Sequence, residues 1–478
     1  MEQENIVSNI DPSKVRRIHL LGVCGTGMGS FAGMLARQGF EVSGSDENIY
    51  PPMSDMLKAW GIRTMIGYKP ENLDAAKPDL VIVGNVIRRV NPEATAMRER
   101  GLPHMSFPAA LGELSIGLRH GVVVVGTHGK TTTTALMGHL LTESRRDPSF
   151  LVGGVTLNYD SNFRVGQGDH FVVEGDEYDT AYFDKGPKFL HYRPRTAIFT
   201  SMEMDHADIY RDLAHYRSSF EKFAAIVPEH GFIAVCAGYP GAVEVARQSK
   251  AKVQTYGRPG SDWFADELTH SQGSAWFDLV HLGRKVRRMQ LSLGGPHNVE
   301  NALGAIAACH ALGMEWDEIA HGLETFKGVK RRQEIKGEPR GVLVIDDFAH
   351  HPTAVHETLT AIRMRFPGRP VWAIFEPRSN TSRRNMHQAE YAQAFFGAAR
   401  AVIAVPAPTD KVPADQQLDV RKLAADITAN GVPALAAANV DEIVAAVKKD
   451  AKKGDVLLVM SNGSFNGLVG KLMETLAK

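Results

Sequence analysis

A predicted strand, a glycine-containing loop and a predicted helix follow one another at residues 124–132, where the sequence reads VVGTHGKTT. Such a loop directs backbone N–H groups and a helix N-terminus at phosphate oxygens, and Lys130 would supply positive charge to the β- and γ-phosphates. Thr131 would offer its hydroxyl group to Mg²⁺. The strict pattern has glycine where this chain has Val124, so the loop departs from the common form. The segment predicts a nucleotide phosphate site, and a glycine turn that only caps a helix is the alternative.

Acidic side chains follow the apolar segment at residues 171–173, at the strand end where ligands collect in open α/β sheets. Glu174 ends this predicted strand, and we expect it to bind Mg²⁺, which prefers oxygen ligands. The acids that come next, Asp176, Glu177 and Asp179, fit a solvated acidic loop. The strand end therefore predicts a carboxylate beside the phosphate site.

A second polar cluster, EMDHAD at residues 203–208, follows another apolar segment at residues 197–200. A histidine on its own is usually structural or solvated, so residue type alone leaves His206 balanced between that role and metal binding. Both interpretations of His206 stay open at this point.

A glycine-rich turn also follows the first predicted strand. Gly22, Gly25 and Gly27 would let the backbone approach a diphosphate, and the next helix would present its positive end to it. Ser30 occupies the third glycine position of a dinucleotide fingerprint, and Asp46 lies ~20 residues on, where such folds contact a ribose. An NAD-dependent dehydrogenase is therefore an alternative, although two phosphate-type loops in one chain favour a second phosphorylated ligand.

The elements that position these residues are short apolar strands alternating with amphipathic helices, a pattern typical of parallel sheets covered on both faces. The alternation restarts three times over 478 residues, so we expect three α/β domains, at residues 1–117, 118–328 and 329–478. The predicted strands are 19–23, 41–45, 79–83, 121–126, 171–174, 196–200, 231–236, 342–345, 371–375, 401–405 and 456–460. Helices are predicted at residues 30–38 and 130–143.

The amino-acid composition limits the classes of partner that this protein can bind. Lys plus Arg equals Asp plus Glu at 54 each, so no net field favours nucleic acid or an anionic membrane. No apolar run approaches the ~20 residues that cross a bilayer. Residues 1–9 lack a secretory signal, and the three widely spaced cysteines have no metal-ligand spacing. We expect a cytoplasmic protein with reduced thiols that binds neither nucleic acid nor membrane, as a monomer or weak homodimer.

Five segments together resemble the Mur ligases, three-domain ATP-dependent enzymes that form amide bonds in bacterial cell-wall precursors. They are GTHGKTT at 126–132, EGDE at 174–177, DH at 205–206, GPHNVEN at 295–301 and DDFAHHP at 346–352. Ser201 departs from the family, which usually has asparagine there. The resemblance covers nearly the whole chain. It implies a Rossmann-like UDP-binding domain, a central P-loop-type ATPase domain and a C-terminal Rossmann-like domain.

The resemblance implies that ATP phosphorylates the lactyl carboxylate of UDP-N-acetylmuramate to an acyl phosphate, which an amine then attacks. The segments YPPMS at 50–54, YFDK at 182–185, EPRSNT at 376–381 and MSNG at 460–463 are more similar to members that attach L-alanyl-γ-D-glutamyl-meso-diaminopimelate in murein recycling. Attachment of L-alanine in de novo synthesis is the alternative. A P-loop switch protein, like the dehydrogenase, would be a different class.

Residue patterns and resemblance together assign expected roles, with ATP and Mg²⁺ as cofactors. The expected catalytic residues are Lys130, Glu174, His206, Arg331 and Asp346, and the expected Mg²⁺ ligands are Thr131, Glu174 and His206. ATP is expected at Gly126, Thr127, His128, Gly129, Lys130, Thr131, Thr132, His297, Asn298, Asn301, Arg331 and Asp346. The UDP-sugar is expected at Gly22, Cys24, Gly25, Thr26, Gly27 and Asp46. The peptide is expected at His351, Arg378, Asn380, Ser461 and Asn462, where the Arg378 guanidinium would pair bidentately with a substrate carboxylate.

Overall fold

The computed structural model describes residues 11–51, 53–206, 209–271, 273–407 and 412–477. The interpretation of residues 1–9 falls outside these ranges, as do Pro52 and Asp208 of the quoted segments. Contacts divide the described residues into two compact units. The first extends to Met202 and includes Leu213–Ser261 and Gly304–Gly322, and the second comprises Glu203–Asp212, Asp262–Leu303 and the chain from Leu323 onward.

The first unit opens with a parallel five-stranded sheet. Its strands are β1 (Arg17–Leu21), β2 (Glu41–Asp46), β3 (Arg63–Ile66), β4 (Leu80–Val83) and β5 (His104–Ser106). They lie in the order β3-β2-β1-β4-β5. The accompanying helices are α1 (Thr26–Arg37), α2 (Met53–Ala59), α3 (Pro70–Ala76), α4 (Pro92–Glu99) and α5 (Phe107–Ala110), and a π-helix at Leu111–Ile116 follows. Because β1 is central and its neighbours run parallel to it, the Gly22 turn lies at the carboxyl edge of this sheet.

The rest of the first unit is built on seven further strands. They are β6 (His120–Val125), β7 (Ser149–Thr156), β8 (Ser161–Arg164), β9 (His170–Gly175), β10 (Pro194–Phe199), β11 (Phe232–Cys236) and β12 (Lys252–Tyr256). Their order is β12-β11-β10-β6-β9-β7-β8, and all are parallel except β8. The helices α6 (Lys130–Glu143), α7 (Leu213–Ile226) and α8 (Pro240–Ala246) belong here. Because β6 is flanked by β9 and β10, the ends of these three strands meet where the phosphate loop leaves the sheet.

The second unit contains an antiparallel ladder and a third sheet. The ladder is formed by β13 (Trp263–Ser271), β14 (Ser274–His281) and β15 (Arg284–Leu291). The sheet has β16 (Glu334–Gly337), β17 (Leu343–Asp347), β18 (Val371–Phe375), β19 (Arg400–Ala404), β20 (Ala434–Ala437) and β21 (Val456–Met460). Its order is β16-β17-β21-β18-β19-β20, with β16 antiparallel.

Helices cover both faces of this third sheet. They are α11 (Pro352–Arg365), α12 (Gln388–Ala394), α13 (Val420–Ala429), α14 (Val440–Asp450) and α15 (Leu468–Ala477). Two separate buried apolar clusters, one on each face, explain why strands such as β18 and β21 are apolar at every position. Two further α-helices of the described residues are α9 (Pro296–Ala311) and α10 (Trp316–Thr325). Among the described residues, no helix has the length and apolar character needed to span a bilayer.

The predicted α/β architecture of parallel sheets is confirmed, and α6, β18 and β21 have the predicted bounds. The prediction that α1 begins at Ser30 is wrong. The helix begins at Thr26 with Gly25 as its N-cap residue, so Gly27 and Gly29 lie in its first turn. Tertiary contacts there outweigh the low helix propensity of glycine. Sequence periodicity also did not anticipate the antiparallel strands β13–β15, whose sides alternate between buried and exposed only in part.

Candidate active site

The phosphate loop leaves β6 at Gly126, which has a φ of +134°. A Cβ atom there would lie 2.3 Å from Thr200 Oγ1 and 2.7 Å from the backbone nitrogen of Ser201. Only glycine fits such a close approach to the end of β10. Gly129, at a φ of +78°, then forms the N-cap of α6. The turn is therefore made at Gly126, and Val124, at the position of the missing motif glycine, is a fully buried strand residue.

Backbone N–H groups of the loop point to one side chain. The nitrogen atoms of Thr127 and His128 donate hydrogen bonds to Ser201 Oγ, over 3.1 and 2.7 Å. Thr200 Oγ1 donates in turn to the His128 carbonyl oxygen over 2.5 Å. Ser201 is the residue at which this chain departs from the family pattern. Its hydroxyl oxygen accepts hydrogen bonds from both backbone amides and so holds the loop in place.

Lys130 lies at the first position of α6 and is only 9% exposed. Its Nζ donates to the Gly126 carbonyl oxygen over 2.5 Å and forms an ion pair with Glu177 Oε2 over 3.0 Å. Burial opposes the charged form, but the carboxylates of Glu177, Asp176 and Glu174 outweigh it and raise the pKa of Lys130. The ammonium group is therefore charged and held beside the loop.

These contacts correct the prediction that Glu177 belongs to a solvated acidic loop. They also bury Lys130, although charged side chains are usually exposed. Glu177 is fully buried, because its carboxylate neutralises the Lys130 ammonium group and accepts a hydrogen bond from the Tyr216 hydroxyl over 3.3 Å. Asp176 and Asp179 match the expectation better, since they form ion pairs with Lys188 and Lys185 at partly exposed positions.

Thr131 and Glu174 come together as predicted. Thr131 Oγ1 donates to Glu174 Oε1 over 2.9 Å, while Glu174 Oε2 accepts a hydrogen bond from the Gly153 nitrogen over 2.8 Å. A hydroxyl oxygen and a carboxylate beside a phosphate loop are the donor set that Mg²⁺ prefers. These two residues therefore fit the expected metal.

The sequence alone did not identify Tyr216 as a residue of the site. It lies on α7, buried, and its hydroxyl group contacts both Thr127 Oγ1, at 2.9 Å, and Glu177. The residue comes nearly 90 positions after the loop, and no motif surrounds it, so only the packing of α7 could reveal it. For Glu177, the signal was available in its place three residues after Glu174 in the EGDE segment.

The residues of the first glycine turn lie together at the carboxyl edge of the first sheet. Gly22 has a φ of +87°, and Asp46 Oδ2 accepts a hydrogen bond from the Cys24 nitrogen over 2.8 Å. Burial, and then the charge of Asp46, raise the pKa of the Cys24 thiol to about 11. Gly25 and Thr26 start α1, so the open end of that helix faces the turn. Asp46 therefore supports the turn in addition to any contact with a ribose.

In the second unit, Arg331 connects two strand ends. Its Nε lies 3.3 Å from Asp346 Oδ2, and one terminal nitrogen donates to the carbonyl oxygens of Ser461, over 2.6 Å, and Gly463. Burial raises the pKa of Asp346, and the Arg331 charge opposes that rise. Its neighbour Asp347 serves the fold instead, since its oxygens accept hydrogen bonds from the Gln333 and Ala349 nitrogens over 2.7 Å.

The residues expected at the adenine lie in the same unit, at the start of α9. His297 Nε2 is 3.0 Å from Gln333 Nε2, and burial together with the Arg332 charge lowers the pKa of His297 to about 4. Asn298 is buried and donates to the Gly294 carbonyl oxygen over 2.8 Å. Asn301 lies one turn further along and is partly exposed.

The predicted peptide residues follow β18 and β21, which are neighbours with Phe375 opposite Met460. Ser461 Oγ donates to Glu376, and Arg378 Nη1 lies 3.8 Å from the other oxygen of that carboxylate. Arg378 remains 45% exposed at its side chain. Ser461 is buried, so its hydroxyl group supports the loop, while Arg378 is accessible to a substrate carboxylate.

The other three peptide residues predicted from the sequence belong to the same unit. His351 is buried at the N-cap of α11, and Asn380 and Asn462 lie in the loops after β18 and β21.

His206 has a φ of +55°, and its Nε2 lies 3.6 Å from Asp205 Oδ2. Burial works against the Asp205 charge, but His206, His350 and His351 outweigh it and lower the pKa of Asp205.

Three models of protein families match the chain in order. The Mur ligase family catalytic domain matches residues 17–118, the Mur ligase middle domain residues 124–309, and the Mur ligase glutamate ligase domain residues 331–463. The chain belongs to the Mur ligase family, so the predicted family and its three-part layout are confirmed. The boundaries at residues 117/118 and 328/329 stay predictions.

Individual relatives agree with this family. The chain is 41% identical over 469 residues to the UDP-N-acetylmuramate–L-alanyl-γ-D-glutamyl-meso-2,6-diaminoheptandioate ligase of Escherichia coli, covering 97% of this chain and 98% of that protein. It is 33% identical over 474 residues to the UDP-N-acetylmuramate–L-alanine ligase of Acetivibrio thermocellus, covering 97% and 96%. The crystal structure of a murein peptide ligase from Psychrobacter arcticus superimposes with a TM-score of 0.71 at 34% identity, covering 96% of this chain and 98% of that one.

We expect Lys130→Met to destabilise the protein by about 3–5 kcal/mol, because it leaves the buried Glu177 carboxylate without its cation. The double variant Lys130→Met/Glu177→Gln should recover part of this loss. Urea unfolding followed by circular dichroism would measure both. Lys185→Met is the matched control, since Lys185 and its partner Asp179 form an ion pair that is exposed to solvent and the expected cost is about 1 kcal/mol or less. Equal stability of the single and double variants would contradict the dependence of Glu177 on Lys130.

Proposed function

We propose that this protein joins L-alanyl-γ-D-glutamyl-meso-diaminopimelate to UDP-N-acetylmuramate in murein recycling, with conversion of ATP to ADP and phosphate. The observation that carries the proposal is the full-length similarity to the E. coli ligase, combined with a formed phosphate loop. Membership of the Mur ligase family sets aside the dehydrogenase and the P-loop switch protein. The reaction would take place in the cytoplasm, by a monomer or weak homodimer.

The proposed chemistry begins with activation of a poor acyl donor. The carboxylate of UDP-N-acetylmuramate attacks the γ-phosphorus of ATP and forms an acyl phosphate, with ADP as the leaving group. The peptide amine then attacks the acyl carbon and phosphate leaves. Phosphoryl transfer depends on charge stabilisation and positioning rather than on a nucleophilic side chain. The chain therefore needs held cations and donors, which is what the loop contains.

Each residue has a proposed part in this reaction. Lys130 binds the β- and γ-phosphates. The Thr127 and His128 amides, which donate hydrogen bonds to Ser201 in this structure, face the same region. Thr131 and Glu174 would hold Mg²⁺, which offsets phosphate charge. His206 as a second metal ligand, and His297, Asn298, Asn301, Arg331 and Asp346 as nucleotide contacts, stay predictions.

The alternative activity is ligation of free L-alanine, as in the A. thermocellus relative. Purified protein should release ADP and phosphate only when UDP-N-acetylmuramate and the tripeptide are both present, and mass spectrometry should find the amide product. Free L-alanine should give little turnover. Equal turnover with L-alanine would replace the recycling assignment with the alanine-adding one, and turnover without UDP-N-acetylmuramate would exclude both.

The first glycine turn is proposed to bind the UDP diphosphate. Gly25→Val should weaken binding of the UDP-sugar, because a branched side chain keeps a diphosphate away from the turn and the start of α1. The fold should tolerate it, since a Cβ atom at this position would lie 3.6 Å from its nearest neighbour. Calorimetry should show at least tenfold weaker UDP-sugar binding, about 1.4 kcal/mol, with ATP binding unchanged. Loss of ATP binding alone would refute this division.

Arg378 is proposed to bind a carboxylate of the peptide. Arg378→Lys should raise the KM for the tripeptide or lower turnover by about 1.5–3 kcal/mol, since a lysine cannot pair bidentately. The KM for ATP should not change. Arg384→Lys is a matched control in the same loop, because Arg384 donates to Gln416 instead. Equal effects of the two substitutions on the peptide would contradict the role of Arg378.

A further inference from the structure

A cavity of about 550 Å³ lies at the amino-terminal ends of the strands that flank the phosphate loop. Its wall is formed by the end of the π-helix, the turn after it, and the first residues of β6, β9 and β10. This volume lies within the range of about 300–1,000 Å³ that small-molecule sites occupy. No step proposed above uses any residue of this wall.

The charges of the cavity wall are unbalanced. Arg119, Arg195, His120 and His170 line it, and Asp169 is its one acidic residue. Among the described residues, Arg195 is exposed and forms no ion pair, and Asp169 forms none either. Arg119 donates to the Ser115 carbonyl oxygen, which carries no net charge. Two guanidinium groups therefore line the cavity beside a single carboxylate.

The pKa values of the two histidines in the wall, His120 and His170, are both lowered. Burial first, and then the charges of His170, Arg195 and His230, together lower the pKa of His120 to about 4. Burial and Arg146 also lower the pKa of His170, with Asp169 opposing them. Both shifts favour the neutral ring, because burial and the surrounding cations outweigh the single carboxylate of Asp169. An anion in the cavity would supply additional negative charge.

One of the two imidazoles also has a polar atom without an internal partner. His120 Nε2 lies 2.8 Å from Thr196 Oγ1, but His170 Nδ1 is buried without a hydrogen-bond partner among the described residues. The two ring centroids are 5.6 Å apart. A buried polar atom left unpaired is costly and is one sign of an absent ligand.

The backbone beside the cavity is unusual as well. The π-helix Leu111–Ile116 ends at Gly117, which has a φ of 56° and a ψ of −122°, a conformation that favours glycine. Helical turns of this kind are rare and are frequent at functional sites. The π-helix brings Ser115 and Arg119 to the cavity wall.

We propose that this cavity binds a small anion carrying carboxylate or phosphate groups, at a site separate from the phosphate loop. Since β6 runs from His120 to Val125, the two sites lie at opposite ends of one strand, ~17 Å apart at ~3.3 Å per residue. Both sites can therefore be filled at once. Because the anion stabilises protonated imidazole, its binding strengthens as pH falls and raises the pKa of His120 and His170.

The test uses the full chain with a non-hydrolysable ATP analogue and Mg²⁺ present, so that the phosphate loop is filled. Histidine ring protons are titrated by NMR with inorganic phosphate or succinate as the probe, and His120→Gln assigns its signal. We expect either probe to raise the pKa of His120 by about one unit, equal to tenfold preference for the charged ring. The probe that does so identifies the anionic group.

Two variants make the result specific. Arg195→Ala should weaken the probe at least tenfold and should fold normally, because the side chain is exposed. Arg247→Ala, an exposed arginine in the same unit, should leave binding unchanged. The proposal is overturned if neither probe shifts His120, or if the shift persists undiminished in Arg195→Ala.

Discussion

The buried contact between the Lys130 ammonium group and the Glu177 carboxylate is the interaction on which the phosphate loop depends. An isolated charge in this position would be too costly to bury, and the pair is stable because carbonyl oxygens of the loop also accept from Lys130. Tyr216 extends the pair to Thr127. The loop, the start of α6, the segment after β9 and helix α7 are therefore held by one set of polar contacts.

The same physical solution recurs in the second unit. Arg331 places its guanidinium between Asp346 and two carbonyl oxygens that follow β21. Ser461 links that loop to Glu376 after β18, and Arg378 lies against Gly463. In both units, parallel strands bring polar residues from distant parts of the chain to one sheet edge, where cations are held by carboxylates and backbone oxygens. Such held cations suit the transfer of a phosphoryl group and the recognition of a carboxylate substrate.

Much of this could be predicted from local sequence. The buried strands are recognisable as short, uniformly apolar runs, and the GKT triplet predicts both a phosphate site and the start of the helix after it. Thr131 and Glu174 are in contact because the loop after β6 and the end of β9 meet at one sheet edge, while their role as Mg²⁺ ligands stays a prediction. The start of α1 was predicted too late, because glycine usually disfavours a helix whereas Gly27 and Gly29 are helical here. The burial of Lys130 and Glu177 was missed because charge suggests exposure, and only packing shows which charges are paired.

The sequence by itself determined the family, the α/β class and the position of the loop that is proposed to bind phosphate, because these follow from the alternation of strands and helices and from contiguous motifs. Only the tertiary structure decided that Ser201 accepts the loop amides, that Glu177 and Tyr216 hold Lys130, and that Ser461 supports a loop rather than facing solvent. The cavity beside His120 and His170 is likewise a feature that only the tertiary structure reveals. Each of these depends on residues far apart in the chain, whose contacts are set by strand order and helix packing and leave no mark in local sequence.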